Sequence, residues 1–233
     1  MMKNTLKMIG LIIFGLILTQ CQSPEKSTNQ MNPIVLEVTT FTINSNVDPT
    51  SFAKRDALVE ADFTSQQNGF IRRQSGVDEK GQYVVLVYWE SPEDADASMQ
   101  KFMKDESVMD YASMINGPSM KMARFDMDQD FASSNTSFVE VMSFDVKEGT
   151  NMEMFDQVNQ RVESEFTSKR KGFKQRLTGN NQEGKQVVAV YWQDKELSDA
   201  SLEPFMSAPI SKEFMGKMNQ QSILMGRYQF LMD

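Results

Sequence analysis

The sequence predicts an α+β protein made of two tandem βαββαβ repeats, the ferredoxin-like order, behind an exported leader. Three observations carry that prediction. Two stretches match at a constant offset of 103 positions. Each stretch changes between strand-like and helix-like periodicity in the same order. A basic and then apolar opening ends at Cys21, the single cysteine of the 233 residues.

The opening comes first. Lys3 and Lys7 supply positive charge, and Met8 to Leu18 form an apolar run that is too short to span a bilayer as a helix, which needs about 20 residues. That length suits the core of a signal peptide covering 1–20. Leu18-Thr19-Gln20-Cys21 follows, and the chain turns polar at Gln22. These residues resemble the lipobox of bacterial lipoproteins, although Gln20 stands where that family usually has Gly, Ala or Ser. The resemblance implies an acylated Cys21, a tether over 21–33 and attachment to a membrane of the cell envelope. Each buried methylene contributes about 0.8 kcal/mol, so several acyl chains anchor firmly. A plain secretory signal with a stray cysteine is the alternative.

The duplication sets the domain plan. Glu37-Val38 returns as Glu140-Val141, Phe52 as Phe155, and Phe63-Thr64-Ser65 as Phe166-Thr167-Ser168. Gly69-Phe70 returns as Gly172-Phe173, Arg73 as Arg176, Gly76 as Gly179, and Val87-Tyr88-Trp89 as Val190-Tyr191-Trp192. Met122 and Arg124 match Met225 and Arg227. Repeat 1 is therefore placed at 34–127, a linker at 128–136, and repeat 2 at 137–233.

Within a repeat, each element has its own signal. Pro33 to Ile43 is rich in Val, Thr and Phe and alternates, as a strand does. Asp48-Pro49 opens a helix, since proline fits the first turn. Phe52, Leu58, Val59 and Phe63 then recur at helical spacing down to Gly69. Phe70 to Gly76 and Gln82 to Trp89 read as strands joined by a turn. Ser91-Pro92-Glu93 starts a helix to about Met103, a short helical piece follows over Val108 to Met114, and Ser119 to Met127 closes as a strand.

Gly69-Phe70, the turn, and Leu86-Val87-Tyr88-Trp89-Glu90-Ser91 leading into an acidic helix resemble antibiotic-biosynthesis-monooxygenase-like domains of the dimeric α/β-barrel superfamily. Repeat 2 carries the same signature in Gly172-Phe173 and Val190-Tyr191-Trp192-Gln193-Asp194. The resemblance implies that the two repeats pair sheet to sheet, so that one chain forms an intramolecular dimeric α/β barrel. A four-stranded sheet with one uncovered apolar face needs such a partner.

Composition excludes more chemistry than any motif suggests. There is no histidine, so no imidazole base and no histidine ligand for zinc or haem. One cysteine leaves no disulfide within the chain and no thiolate cage. No cofactor and no metal are expected. The nineteen methionines are scattered at helix and strand spacings, which suits core filling better than a copper site. The formal charge is −8, with two positive charges fewer once Lys3 and Lys7 leave with the leader. An acidic chain lacks the basic footprint that nucleic acid requires.

The resemblance spans proteins of several activities. Haem-degrading members combine Asn, Trp and His; here Trp89 and Trp192 match, but histidine is missing, and Thr39 and Met142 stand near the expected Asn. Cofactor-free oxygenases of quinol-like and anthrone-like substrates need only polar groups, aromatic walls and a dry pocket. The candidate ligand-binding residues are Tyr88, Trp89, Arg73 and Arg124, with Tyr191, Trp192, Arg176 and Arg227 in repeat 2. A tyrosine would hydrogen-bond a phenolic oxygen and an arginine would stabilise an enolate. Against that, large aromatics often only fill cores, and Glu37–Arg124 and Glu140–Arg227 would face each other on neighbouring strands as structural ion pairs. The expected function is binding of a small aromatic or apolar molecule, with cofactor-independent monooxygenase and a structural or partner-binding lipoprotein without a ligand site as alternatives. The expected pocket lies inside one repeat, between sheet and helices, with Trp89 or Trp192 in its wall. Ala189 opposite Leu86 suggests more room in repeat 2.

Overall fold

The computed structural model describes residues 34–132 and 135–231. The leader, Cys21 and the tether over 21–33 lie outside the described residues.

Repeat 1 runs β1 (Val35–Thr42), α1 (Pro49–Asp62), β2 (Phe70–Val77), β3 (Gln82–Trp89), α2 (Pro92–Phe102), α3 (Met109–Met114) and β4 (Lys121–Met127). Repeat 2 follows with β5 (Phe138–Phe144), α4 (Met152–Arg161), β6 (Phe173–Asn180), β7 (Gln186–Trp192), α5 (Lys195–Ser207), α6 (Pro209–Gly216) and β8 (Leu224–Phe230). Equivalent caps start equivalent helices. The side chain of Asp48 accepts from the Ser51 amide, and that of Asn151 from the Met154 amide. Ser91 and Asp194 do the same for α2 and α5, so each helix has one otherwise unpaired N–H satisfied. Gly69 and Gly172, at φ +67° and +81°, make the left-handed turn into β2 and β6. A Cβ at either would collide with the second helix of its repeat, at Asp94 or Leu197.

The eight strands close into one antiparallel barrel in the order β1-β3-β2-β8-β5-β7-β6-β4. Each repeat contributes four consecutive staves, as two tandem ferredoxin-like units should. Two short seams join the repeats: Gly76–Phe230 and Val77–Gln229 on one side, Asp126–Asn180 and Met127–Gly179 on the other. Closure removes the open edges that would otherwise invite another strand.

Strands β3 and β7 are buried on both faces, with the helices outside the barrel. In β3, Val84, Leu86 and Tyr88 point into the barrel beside Leu36, Phe125, Leu177, Ala189 and Tyr191. The alternate residues Tyr83, Val85, Val87 and Trp89 pack outward against Phe52, Val59 and Phe63 of the first helix and its end. Repeat 2 builds a matching outer layer from Phe144, Phe155, Val158, Val188, Ile210 and Phe214. Full burial of each such side chain contributes roughly 1.5–3 kcal/mol, so both layers matter to stability. Among the described residues, no helix is long and apolar enough to cross a membrane.

The repeats differ in their first helix. In repeat 1, α1 runs to Asp62, whereas in repeat 2, α4 ends at Arg161 and widens into a π-turn over Val162–Phe166. A π-turn inserts an extra residue into the helical ladder and recurs at functional sites.

Candidate functional site

Each repeat encloses an apolar cavity between the outer face of its sheet and its helices. In repeat 1 the volume is about 300 Å³, and the walls include Trp89, Phe63, Phe102 and Tyr111 with Glu37 and Arg73. In repeat 2 it is about 250 Å³, and the walls include Trp192, Phe166, Phe205 and Phe214 with Glu140 and Arg176. These walls correspond position by position at the offset of the duplication. Exposed methionines collect on the same linings: Met103, Met120 and Met122 in repeat 1, Met206 and Met225 in repeat 2. Exposed apolar side chains clustered on a cavity are what a binding surface shows, and methionine adapts its shape to a guest.

The tryptophans sit as the strand ends dictate. Trp89 and Trp192 are each 2 % exposed, with Phe70 and Phe173 edge-on against them at ring separations of 6.1 and 6.2 Å. Neither buried indole N–H has a hydrogen-bond partner among the described residues. A buried donor without an acceptor is uncommon and costly, so the pair of them stands out.

Tyr88 and Tyr191 lie elsewhere. They face the barrel interior, where their hydroxyls meet at 2.5 Å in a hydrogen bond between equivalent positions of the two repeats. Burial raises the pKa of both, first by removing water and then through their mutual contact in the case of Tyr88. Phe131 of the linker packs against both rings and lies under the Arg72 guanidinium at 4.5 Å, closing that part of the barrel. The two tyrosines therefore touch neither cavity. Ala189 and Leu86 also point into the barrel, which is why the smaller residue adds no room to repeat 2. The roomier cavity is that of repeat 1.

The four arginines divide into two kinds. Arg124 pairs directly with Glu37 across β1 and β4, Nε to Oε2 at 2.7 Å, and also bonds Asp96. Arg227 pairs with Glu140 at 3.0 Å and with Asp199 at 2.8 Å. These are the facing ion pairs expected from strand register, at the edge of each cavity. Burial pushes the Glu37 carboxyl up, and Arg124 pulls it back only in part.

Arg73 and Arg176 are more deeply buried, 6 % and 2 % exposed. Arg73 is gripped by both oxygens of Asp56, at 2.9 and 2.5 Å, with Glu60 at 3.7 Å and the Tyr111 hydroxyl at 3.5 Å. Arg176 reaches only the Asn159 side-chain oxygen at 2.6 Å and its backbone carbonyl at 3.2 Å, with the Phe214 ring 5.6 Å away. Asn159 and Phe214 are the counterparts of Asp56 and Tyr111. Sequence reading missed these partners because they lie 17 and 38 positions from Arg73 in other elements. Aligning the two copies shows that these positions differ, Asp56 against Asn159 and Tyr111 against Phe214, but not that they meet an arginine.

A larger groove of about 360 Å³ runs along β2 and α1, lined by Glu60, Arg72, Gln74, Ser75 and Thr136 among others. Its walls are mainly polar, so the two cavities under the helices suit an apolar guest better. Among the described residues, no group of three or more acidic or cysteine side chains is placed to hold a metal ion.

No protein-family model matches the chain, and no curated protein does. Solved structures do. A candidate monooxygenase from Fusobacterium nucleatum subsp. nucleatum aligns at a TM-score of 0.62 and 14 % identity, over 86 % of this chain and 93 % of that one. A second, from Lactobacillus acidophilus NCFM, aligns at 0.62 and 12 % identity, over 86 % and 95 %. An anthrone oxidase-like protein aligns at 0.60 and 14 % identity, over 86 % and 92 %. At such identities the likeness is one of fold, and it spans both repeats: the chain has the α/β-barrel architecture of these monooxygenase-like proteins.

Proposed function

We propose that the chain is a membrane-anchored protein that binds a small aromatic or otherwise apolar molecule in the cavities beneath its helices. The observation that carries this reading is the pair of equivalent apolar cavities of about 300 and 250 Å³, each with a tryptophan wall and exposed methionines. The repeat 1 volume sits at the lower end of the range for ligand pockets, roughly 300–1,000 Å³, and the repeat 2 volume just below it, so the guest is small. The indole N–H of each wall tryptophan is buried and unpartnered, so a carbonyl or phenolic oxygen that reached it would satisfy it. Attachment would come from acylation of Cys21, the single cysteine, at the end of the leader.

A second reading is a cofactor-independent monooxygenase of quinol-like or anthrone-like substrates. It is favoured by the likeness of fold to the candidate monooxygenases and the anthrone oxidase-like protein. An arginine beside an apolar cavity supplies the electrostatic help an enolate would need.

Both readings meet one experiment. The leaderless chain is titrated with a panel of quinols, anthrones and flavonoids while Trp fluorescence, melting temperature and oxygen consumption are followed. Saturable quenching with a raised melting temperature is expected, since ligand at a hundred times Kd stabilises by about 2.7 kcal/mol. Trp89→Phe and Trp192→Phe assign the signal to one cavity. Oxygen uptake would select the oxygenase. Silence in all three would leave a structural role. Cys21→Ala in the full chain should release the protein from the membrane fraction or leave it uncleaved; an unmodified thiol in membrane-extracted wild type would refute the anchor.

A further inference from the structure

The buried arginine of repeat 2 lacks what its twin in repeat 1 has. Arg73 has a carboxylate, Asp56, on two of its nitrogens, and a phenol hydroxyl nearby. At the same two places Arg176 meets the amide of Asn159 and the ring of Phe214. No carboxylate stands within 4.0 Å of Arg176 among the described residues.

The other acids near it are accounted for. Glu163, the counterpart of Glu60, forms no ion pair with Arg176, although both line one polar groove with Asn159, Gln160, Ser164 and Ser168. Glu140 lines the cavity, but Arg227 and the Ser198 hydroxyl hold it. The guanidinium is thus a cation removed from water without a carboxylate in direct contact, a costly arrangement unless something else supplies the charge. Loss of water pushes its pKa down to about 10, and the charge of Glu163 offsets this only in part.

Arg176 also lines the apolar cavity. We infer that the repeat 2 cavity selects a ligand with an apolar body and one anionic oxygen group, a carboxylate or a phenolate, which seats against Arg176 as the missing counter-charge. In repeat 1 Asp56 already fills that role, so its cavity takes neutral apolar ligands. The inference rests on the proposed binding function and adds to it the charge of the ligand and the repeat that holds it. The apolar walls, Val162, Phe166, Val190 and Trp192, receive the body of the ligand. A guanidinium presents paired N–H groups that match a carboxylate's two oxygens.

The test uses the leaderless two-repeat chain with Trp89→Phe, so that Trp192 is the sole tryptophan reporter. 2-Naphthoate and its neutral counterpart 2-naphthamide are titrated at pH 7, by fluorescence and by calorimetry. Naphthoate should bind at least tenfold more tightly. Adding Asn159→Asp, which changes almost no volume and copies repeat 1, should abolish that preference while leaving naphthamide affinity within about twofold. Cooperative thermal unfolding of the variant checks that it is folded. Equal affinity for both probes, or a preference that survives Asn159→Asp, overturns the inference and leaves the binding function standing. Failure of both probes to bind overturns the two together.

Discussion

Arg73 and Arg176 hold the same place in two copies of one fold, and their surroundings differ by a carboxylate against an amide and a phenol against a phenyl ring. The backbone scarcely registers the difference. Strand register and the caps of the first two helices correspond, with the π-turn of Val162–Phe166 and the longer, earlier-starting α6 against α3 as departures. The comparison shows how a duplicated fold keeps its architecture while side chains at a few buried positions change the charge of a site. In repeat 1 burial works against the Arg73 charge, but the charge and hydrogen bonds of Asp56 outweigh it, so the pKa rises. In repeat 2 the fall of the Arg176 pKa from 12.5 to about 10 corresponds to a penalty of roughly 3 kcal/mol on the charged form. The sign follows from the depressed folded value. The penalty is present in full at neutral pH and is relieved only as pH rises through about 10 toward the unfolded value.

The largest effect should come from removing each arginine in turn. Arg73→Met leaves Asp56 buried without its partner and should cost about 3–5 kcal/mol. Arg176→Met removes an uncompensated cation and leaves only an amide and a carbonyl to satisfy. It should cost about 1 kcal/mol or less, the lost hydrogen bonds being offset by relief of the buried charge. Urea midpoints of the two variants measure the contrast. Equal losses would mean that Arg176 has a counter-charge not seen among the described residues.

Closure of the barrel offers a second contrast. Gly76 and Gly179 sit at the two seams where one repeat hydrogen-bonds the other. A Cβ on Gly76 would lie 2.9 Å from the Gln229 carbonyl oxygen and 3.0 Å from Tyr228 Cβ. On Gly179 it would lie 2.4 Å from the Asp126 carbonyl oxygen, well inside contact distance and against backbone that cannot yield alone. Gly179→Ala should therefore destabilise by about 1–3 kcal/mol, and Gly76→Ala by less. Should Gly76→Ala prove the costlier, the β2–β8 seam would be the more rigid of the two.

How much of this was legible in the residues depends on how far apart the contributing positions lie. The order of elements and the Glu37–Arg124 and Glu140–Arg227 pairs follow from periodicity and strand register, which act over short distances or through regular pairing. The expected first strand, Pro33 to Ile43, overran β1 by a residue or two at each end, as strand ends do. Which way Tyr88 and Trp89 face was not legible. In β3 every residue from Tyr83 to Trp89 is buried, so alternation separates two faces without saying which lies in the barrel and which beneath the helices. The partners of Arg73 and Arg176 were hidden for a different reason: they come from the first helix and from α3 or α6, and only folding brings those together. The placement of Phe131, a linker residue that seals against Tyr88 and Tyr191, likewise depends on the closed barrel.

The smallest expected effect concerns the one contact that treats the repeats alike. Tyr88 and Tyr191 share a single hydrogen bond of 2.5 Å, so each hydroxyl depends on the other. Tyr88→Phe and Tyr191→Phe should each cost about 1 kcal/mol, and the double variant little more than either alone, because the second substitution removes no further bond. Alkali gives a second measure. All five tyrosines, at positions 83, 88, 111, 191 and 228, have pKa values raised above the ordinary 10, burial being the leading cause at each; Tyr228 is pushed up to about 12. A raised phenol pKa means that the folded chain holds its protons longer than the unfolded chain. The stability these groups contribute is complete below pH 10 and is lost as pH climbs from 10 through the folded values. Stability measured by urea at pH 8, 9, 10 and 11 should be flat at first and then fall for the wild type. It should fall less steeply for the double phenylalanine variant, which keeps three of the five groups. Two strictly additive losses, or identical alkaline slopes, would show that the hydroxyls are not joined across the repeats and that the barrel interior is not symmetric at its centre.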